Sequence, residues 1–116
     1  MNFEQTSLWP RLLDLAGQCD AVANGLPRHE IYSTASQLRR AAGSVYANYA
    51  EGWGRRTRRD SLHFIVMARA SLNEVKAHLL YAQSRGWTRP DTRKPLFEEI
   101  DQIRRIFVTI AQRLSD

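Results

Sequence analysis

The chain has 116 residues, which is enough for one domain around a single hydrophobic core and too few for two well-packed ones. Its 17 lysines and arginines outnumber its 12 aspartates and glutamates, and only Lys76 and Lys94 among these cations are lysines. Arginine presents a planar fork of donors to carboxylates and phosphates, so this balance favours an anionic partner such as nucleic acid. The single cysteine, Cys19, excludes an internal disulfide and a cysteine-based zinc cluster, and we expect it in the core.

The sequence gives no sign of a membrane or export segment. No apolar run approaches the roughly 20 residues of a membrane span. The first residues, MNFEQTSLWPR, lack the basic start and apolar centre of a secretory signal. We therefore expect a cytoplasmic protein with no membrane partner.

The first predicted helix covers residues 7–24. Its apolar residues recur at spacings of four and three, which places them on one face. These residues are Leu8, Leu12, Leu15, Cys19 and Val22. Pro10 falls in the first turn, where its missing N–H has no helical partner. The stretch Asn24-Gly25-Leu26-Pro27 ends the helix, because asparagine and glycine permit a left-handed cap and proline prevents continuation.

The second predicted helix covers residues 28–52 and carries two stripes. The apolar stripe consists of Ile31, Ala35, Leu38, Ala42, Val45 and Tyr49. A second stripe, mostly polar, runs beside it through Gln37, Ala41, Ser44, Asn48 and Glu51. Gly43 in the middle of this helix costs about 1 kcal/mol relative to alanine. We therefore expect a neighbouring helix to pack closely against the bare backbone there.

The third and fourth predicted helices cover residues 59–86 and 94–114. Their main apolar positions are Leu62, Ile65, Leu72, Val75, Leu79 and Ala82, then Leu96, Ile100, Ile103, Phe107, Ile110 and Leu114. Phe64, Met67 and Ala68 widen the third face. No alternating strand pattern occurs, so the predicted class is all-α. Four helices with short loops fold most simply as one up-down-up-down antiparallel four-helix bundle over residues 1–116.

The chain has more large apolar residues than one bundle core requires. Those outside or at the margins of the four seams are Tyr32, Tyr46, Phe64, Trp87, Phe97, Ile106 and Val108. Contiguous exposed apolar patches are rare on monomers. We expect some of these side chains to widen the core and others to form a subunit interface.

Two stretches carry a recognisable pattern: QLRRAAGSVYANYAEGWGR, residues 37–55, and ARASLNE, residues 68–74. They resemble the signature of the bacterial four-helix bundle proteins also called the 23S ribosomal RNA intervening-sequence protein family, close to QLRRAxxSVxxNIAEGxGR followed by ARGSLxE. The matching positions are Gln37, Arg39, Arg40, Ala41, Ser44, Asn48, Ala50, Glu51, Gly52, Gly54, Arg55, Ala68, Arg69, Ser71, Leu72 and Glu74. Tyr49 replaces the usual isoleucine and Ala70 the usual glycine, which indicates changes in helix packing.

The resemblance implies a fold more specifically than an activity. It implies a four-helix bundle that assembles as a cyclic homo-oligomer, typically a homopentamer. Some relatives are encoded inside intervening sequences of ribosomal RNA genes. A distant relative is the accessory protein of diversity-generating retroelements, which works with a reverse transcriptase and nucleic acid. For most members no biochemical activity is established.

Polar residues on the second and third helices form a candidate network. They are Gln37, Arg39, Arg40, Ser44, Asn48, Glu51, Arg69, Ser71 and Glu74. Arg40, Ser44, Asn48 and Glu51 follow one another at spacings of four, four and three residues, so their side chains can touch along one helix edge. With the third helix antiparallel to the second, Arg69 and Glu74 are expected to complete this edge. One interpretation is a structural or interface network that sets helix register and subunit contacts. The alternative is a polar pocket for an anion or a base.

The motifs of enzymes and metal centres are absent. No glutamate has a histidine three residues later, as a ferritin-like di-metal centre requires. Glu74 and His78 stand four apart and are better explained as a surface pair. There is no nucleophile elbow, and Gly52-Trp53-Gly54 is too short for a phosphate-binding glycine-rich loop. We therefore expect no catalytic residue, no metal, no cofactor and no small-molecule substrate.

The turn EGWGRRTRRD, residues 51–60, is the candidate nucleic-acid site. The residues predicted to contact nucleic acid are Trp53, Arg55, Arg56, Arg58 and Arg59. Arginines bind phosphate without reading sequence, and an exposed tryptophan can stack on a base. Thr57 and Asp60 have the spacing of a capping box.

From these features we predict a non-enzymatic oligomeric bundle that binds the RNA or DNA backbone, or a nucleic-acid-processing enzyme. The alternative is a scaffold or adaptor for a protein partner.

Overall fold

The computed structural model describes residues 2–116, and these residues are helical almost throughout. The four α-helices are α1 (Leu8–Asn24), α2 (Ser36–Gly52), α3 (Arg58–Ser84) and α4 (Pro90–Ser115). A 3-10 turn precedes α1, and a 3-10 turn followed by a π-helical segment leads into α2; they cover Phe3–Gln5, Arg28–Glu30 and Ile31–Ala35. Residues 2–116 contain no strand. The all-α prediction is therefore confirmed.

The helices pack with consecutive directions reversed. The end of α2 meets the residues before α1, where the Tyr49 hydroxyl donates to Oγ1 of Thr6 at 2.9 Å. The start of α3 meets the end of α4, where the Arg58 guanidinium donates to the carbonyl of Arg113. α2 packs against α1 and α3, and α4 packs against α3 and, less extensively, α1. α1 and α3 therefore occupy diagonal corners of the bundle.

The predicted seams supply most of the core. The fully buried large side chains include Leu12, Leu15, Leu38, Leu72, Leu79, Leu96, Ile103 and Phe107. Cys19 is also buried as expected, and loss of hydration raises the pKa of its thiol to about 12. Tyr46, Trp87, Phe97 and Ile106 are partly buried against this core. Tyr32 remains 94% exposed, so it contributes nothing to the core of the single chain.

The π-helical segment shifts the register ahead of α2. Ile31 was expected in the core but is 46% exposed, whereas Ala35 is buried. A π-helix holds more residues per turn than an α-helix, so a 3.6-residue period cannot be extended backwards through it. Glu30 supports this segment, since its carboxylate accepts from the backbone N–H of Thr34 at 3.4 Å and from the Thr34 hydroxyl at 3.2 Å.

The close approach expected at Gly43 is not made by a neighbouring helix. A Cβ built on Gly43 would meet only the Tyr46 side chain of the same helix, with the hydroxyl at 3.7 Å and Cζ at 4.0 Å. The close approach occurs instead at Gly52, where a Cβ would lie 3.4 Å from both the Phe64 Cβ and the Ser61 carbonyl. Of these two glycines, the one at the end of α2 therefore makes the closer approach to a neighbouring helix.

The helix ends also differ from expectation. Gly25 has a φ of −87°, so α1 ends without the predicted left-handed cap. α3 ends at Ser84, and the left-handed residue is Gly86, with a φ of 75°. α4 begins at Pro90, four residues earlier than predicted, and continues through Pro95. Pro95 removes only one hydrogen bond near the start of a long helix, which α4 tolerates.

Candidate nucleic-acid interface

The arginine-rich stretch forms a turn between α2 and α3, at the end of the bundle where α1 begins and α4 ends. We call residues 53–59, the turn together with the first two residues of α3, the Trp53 turn. Gly54 adopts a φ of 76°, in the left-handed region that glycine tolerates best. Thr57 then caps α3, because its Oγ1 accepts from the Asp60 backbone N–H at 3.1 Å. The hydroxyl contact of the predicted capping box is therefore present.

Arg55 is committed to holding the turn. Its Nε donates to the Glu51 carbonyl at 2.9 Å, and its Nη2 donates to the Glu51 carboxylate. Its guanidinium carbon also lies 4.3 Å from the centroid of the Phe64 ring, a cation–π distance. Arg55 thus satisfies a free carbonyl at the end of α2 and covers Phe64, so it is not available to an outside ligand without losing these contacts.

Arg58 has a structural contact that the sequence did not predict. Its Nη2 donates to the backbone carbonyl of Arg113, in the last turn of α4. The last carbonyls of a helix have no helical partner and carry partial negative charge, so a cation there is favourable. The two residues are 55 positions apart. The one sequence feature that relates to this contact is the position of Arg113 at the end of the fourth predicted helix, where backbone carbonyls lack helical partners.

Arg56 and Arg59 are the arginines of the turn without such contacts. Both side chains are exposed, and neither side chain makes a hydrogen bond or an ion pair with any residue in 2–116. Arg59 is the second residue of α3, where the positive end of the helix dipole disfavours a cation. The five predicted contact residues therefore divide into a structural pair, Arg55 and Arg58, a free pair, Arg56 and Arg59, and Trp53, the first residue after α2.

Trp53 lies between two surface cavities. Its side chain is 37% exposed, and its ring centroid is 6.4 Å from that of Tyr49 in an edge-on arrangement. One cavity, of about 300 Å³, is lined by apolar side chains including Ile65 and Leu114. The other, of about 480 Å³, is lined partly by Phe3. The indole is thus accessible on the same end of the bundle as the free arginines.

The first part of the candidate polar network lies on the surface of the bundle. Arg39 turns toward α1, where its Nε donates to Oδ1 of Asp20 at 2.7 Å and its Nη2 donates to the Asn24 side chain. Arg40 contacts Gln37 at 2.5 Å and lies 3.8 Å from Oε2 of Glu74. Arg39 and Arg40 therefore link α2 to α1 and to α3 separately.

The remaining members of the predicted network do not join these contacts. The Asn48 amide donates to the Ser44 backbone carbonyl at 2.9 Å. Glu51 forms an ion pair with Arg55, which follows α2. The side chains of Arg69 and Ser71 make no hydrogen bond or ion pair within residues 2–116. The expected continuous edge from α2 to α3 is not formed within the single chain. Sequence spacing identified neighbours on one helix but not the helix that each side chain faces.

The remaining titratable groups do not converge on a site. Glu74 and His78 form a pair, with 3.5 Å between Oε2 and Nε2. Within residues 2–116 no group of three histidine, cysteine or acidic residues is placed to hold a metal ion. No helix in this part of the chain is long and apolar enough to cross a membrane.

Comparison with known proteins is consistent with this architecture. No curated protein sequence matches the chain significantly. A model of the family described as 23S rRNA-intervening sequence protein matches residues 4–109, which include all four helices except the last turns of α4. This match agrees with the two sequence signatures on α2 and α3. The chain therefore belongs to the 23S rRNA-intervening sequence protein family.

Proposed function

We propose that this protein is a non-enzymatic, self-associating bundle that binds the backbone of RNA or DNA at the Trp53 turn. Arg56 and Arg59 carry the proposal, because both are exposed and have no partner within residues 2–116. Arg59 also stands where its own helix repels a cation. A phosphate group at this position offsets that repulsion and accepts the hydrogen bonds that both guanidinium groups leave free.

Trp53 adds a second kind of contact. Its exposed indole lies at the same turn, beside an apolar cavity of about 300 Å³. Stacking of an unpaired base on an aromatic ring contributes roughly 1–3 kcal/mol, and a duplex offers no such base. The combination favours single-stranded over double-stranded nucleic acid, with little dependence on sequence.

Self-association multiplies the effect of one turn. Two free arginines in one chain supply few phosphate contacts. In a cyclic homo-oligomer each copy repeats the turn, and linked sites bind one strand with a higher effective concentration. Family membership supports this assembly, and the exposed apolar residues on α3 support it independently.

The test is a binding titration with a labelled single-stranded oligonucleotide and its duplex, followed by fluorescence anisotropy at 50 and 150 mM salt. We expect binding that weakens with salt, with a slope of roughly 0.9 per phosphate contact for duplex and 0.7 for single strand. The double variant Arg56→Ser/Arg59→Ser should lower that slope, and Trp53→Ala should reduce the preference for single strands.

The matched control removes the same charge at the opposite end of the bundle. Arg28 and Lys94 are exposed there, and Arg28→Ser/Lys94→Ser changes the net charge equally. Equal loss of binding in both double variants would show a non-specific charge effect and would contradict a site at the Trp53 turn. No binding at 50 mM salt would reject nucleic acid as the ligand.

The second candidate function is an adaptor that binds a protein. The observation that favours it is the same pair of free arginines, since an acidic protein surface also satisfies them. A nucleic-acid-processing enzyme is one such partner. The two functions separate in the titration, because only the nucleic-acid proposal requires binding to a bare oligonucleotide.

A further inference from the structure

The apolar cavity beside Trp53 interrupts the core at one end of the bundle. The seam of α4 is buried from Leu96 to Phe107, but its last two positions, Ile110 and Leu114, are half-buried and line this cavity of about 300 Å³. Protein interiors are close-packed and contain few voids larger than a water molecule. Pockets that bind small ligands begin at about this volume. The cavity is therefore ligand-sized space on the core seam that no side chain of residues 2–116 fills.

The walls of the cavity suit a flat apolar group. The rings of Tyr49 and Trp53 lie on its α2 side, with their centroids 6.4 Å apart and their planes at 67°. Ile65 of α3 and the two seam residues of α4 add branched aliphatic side chains. Two glycines and a serine at the junction of α2 and α3 complete the lining and add little side-chain volume. An aromatic ligand can stack on a ring on one side and pack on aliphatic groups on the other.

Arg58 places a fixed cation at the edge of the cavity. It precedes Ser61 by one helical turn and donates to the backbone carbonyl of Arg113, the neighbour of Leu114. Ser61 and Leu114 both line the cavity. A guanidinium has five N–H donors, and this is the one hydrogen bond of the Arg58 side chain within residues 2–116. The contact with α4 therefore holds Arg58 in position and leaves donors for a ligand.

The charge around the cavity favours an anion. Within three positions of a lining residue the chain has five arginines and three acids. They are Arg55, Arg56, Arg58, Arg59 and Arg113, and Glu51, Asp60 and Asp116. An uncharged apolar side chain of another protein would fill the cavity but leave the excess of arginines without a partner. A ligand that joins a flat ring to an anion uses both features.

We infer that this cavity is a nucleotide site, in which one unpaired base enters between Trp53 and the aliphatic wall and its phosphate binds Arg58. The inference rests on the proposed function and names the unit that the Trp53 turn recognises. A free mononucleotide and one residue of a single strand share this chemistry. In a strand, Arg56 and Arg59 hold the neighbouring phosphates. A base within a duplex is excluded, because it must first leave its stack and its pair.

The first measurement separates the base from the phosphate. A labelled single-stranded oligonucleotide is compared by fluorescence anisotropy with an abasic strand of the same length. Affinity should fall roughly 5- to 150-fold without the bases, as expected for the loss of one stacked base, whereas the salt slope should stay the same. In calorimetric titrations, adenosine 5′-monophosphate should bind one per chain, and ribose 5-phosphate should bind more weakly by a similar factor.

The second measurement fills the cavity. Leu114→Trp occupies it from the α4 side and leaves Trp53 and the arginines in place, so it should remove the difference between the normal and abasic strands. A base that only lies on the outer surface of Trp53 would be unaffected by this change. Ile110→Phe is a second filling variant in case Leu114→Trp does not fold. Thr109→Trp is the matched control, because it adds the same ring to the exposed side of α4 and should bind as the wild type does.

Arginine variants separate the two sources of the ligand. Arg58→Gln should weaken binding of adenosine 5′-monophosphate roughly tenfold and leave binding of adenosine unchanged, since it removes one phosphate contact. Arg56→Ser/Arg59→Ser should weaken binding of the oligonucleotide but not of the mononucleotide. Unfolding in urea shows whether Arg58→Gln also disturbs the contact with α4.

The failures of this inference and of the proposed function are distinguishable. Equal affinity for the normal and abasic strands, or wild-type binding in both filling variants, would overturn the nucleotide site and leave nucleic-acid binding in place. Binding of the mononucleotide that Leu114→Trp abolishes, with no binding of the oligonucleotide, would support the site and reject the proposed function. Binding of an acidic tryptophan-containing peptide, with no binding of the mononucleotide, would overturn the site in favour of a protein partner.

Discussion

Replacing Arg59 by glutamate should stabilise the protein and weaken nucleic-acid binding at the same time. Arg59 is exposed, has no partner within residues 2–116, and is the second residue of α3. Removing a cation from the first turn of a helix recovers about 0.3–1 kcal/mol, and adding an anion there contributes a similar amount. The expected increase in the free energy of unfolding is therefore roughly 0.6–2 kcal/mol at low salt, or about 3–6 °C in Tm for each kcal/mol.

Arg56→Glu is the matched variant, because Arg56 lies in the turn outside α3. It makes the same change in net charge without the contribution of the helix dipole, so its Tm should change little. Both variants should lose roughly tenfold in affinity for a single-stranded oligonucleotide at 0.1 M salt, since each removes one phosphate contact. The two measurements are thermal unfolding at equal protein concentration and fluorescence anisotropy.

Salt provides an internal check on the reasoning. At about 1 M salt the screening length falls to about 3 Å, and the Tm gain of Arg59→Glu should largely disappear. A lower Tm for Arg59→Glu at low salt would show that Arg59 stabilises the fold and would refute the assignment of a free cation. Unchanged affinity in both variants would refute the phosphate contact.

Three further predictions concern the bundle itself. Gly43→Ala should raise the free energy of unfolding by about 1 kcal/mol in urea titrations, because its Cβ approaches the Tyr46 side chain no closer than 3.7 Å. Gly54→Ala should lower the free energy of unfolding by about 1–2 kcal/mol, because Gly54 has a φ of 76°. A loss of stability at Gly43 would mean that an outside group packs there. The hydrogen bond from Arg104 lowers the pKa of Asp101. The stability that this contact adds should therefore be present above the ordinary aspartate pKa and be lost as the pH falls through the lowered pKa. Asp101→Asn should flatten that part of the acid-unfolding curve. Tyr49→Phe removes a hydrogen bond of 2.9 Å and should cost about 0.5–1.5 kcal/mol, measured by urea unfolding; no change would mean that solvent replaces the bond.

The four helices could be predicted because each carries an apolar seam at a helical period. Leu12, Leu38, Leu72 and Ile103 were placed in the core by spacing alone, and all are buried. The prediction that Ile31 is buried was wrong, because spacings of four and three residues assume α-helical winding and the chain is π-helical there. Local patterning identifies which side of a helix is buried only where the helix type is uniform.

The candidate site was predictable in location but not in the roles of its arginines. Sequence showed four arginines in one turn, yet it could not show that Arg58 reaches a carbonyl of α4 or that Arg55 covers Phe64. Similarly, the partners of Arg39 lie on α1, 15 and 19 residues earlier. These contacts depend on how the helices pack against one another, and residue spacing within one helix carries no information about that packing.

The buried thiol of Cys19 can be used to measure how often the bundle opens. Its side chain is 0% exposed and its pKa is about 12, so at neutral pH the thiol is both inaccessible and protonated. A thiol reagent can therefore modify it only after α1 separates from the rest of the core. With no other cysteine in the chain, the labelling rate reports this one event. The dependence of that rate on protein concentration would measure how strongly the proposed self-association slows the opening of each subunit.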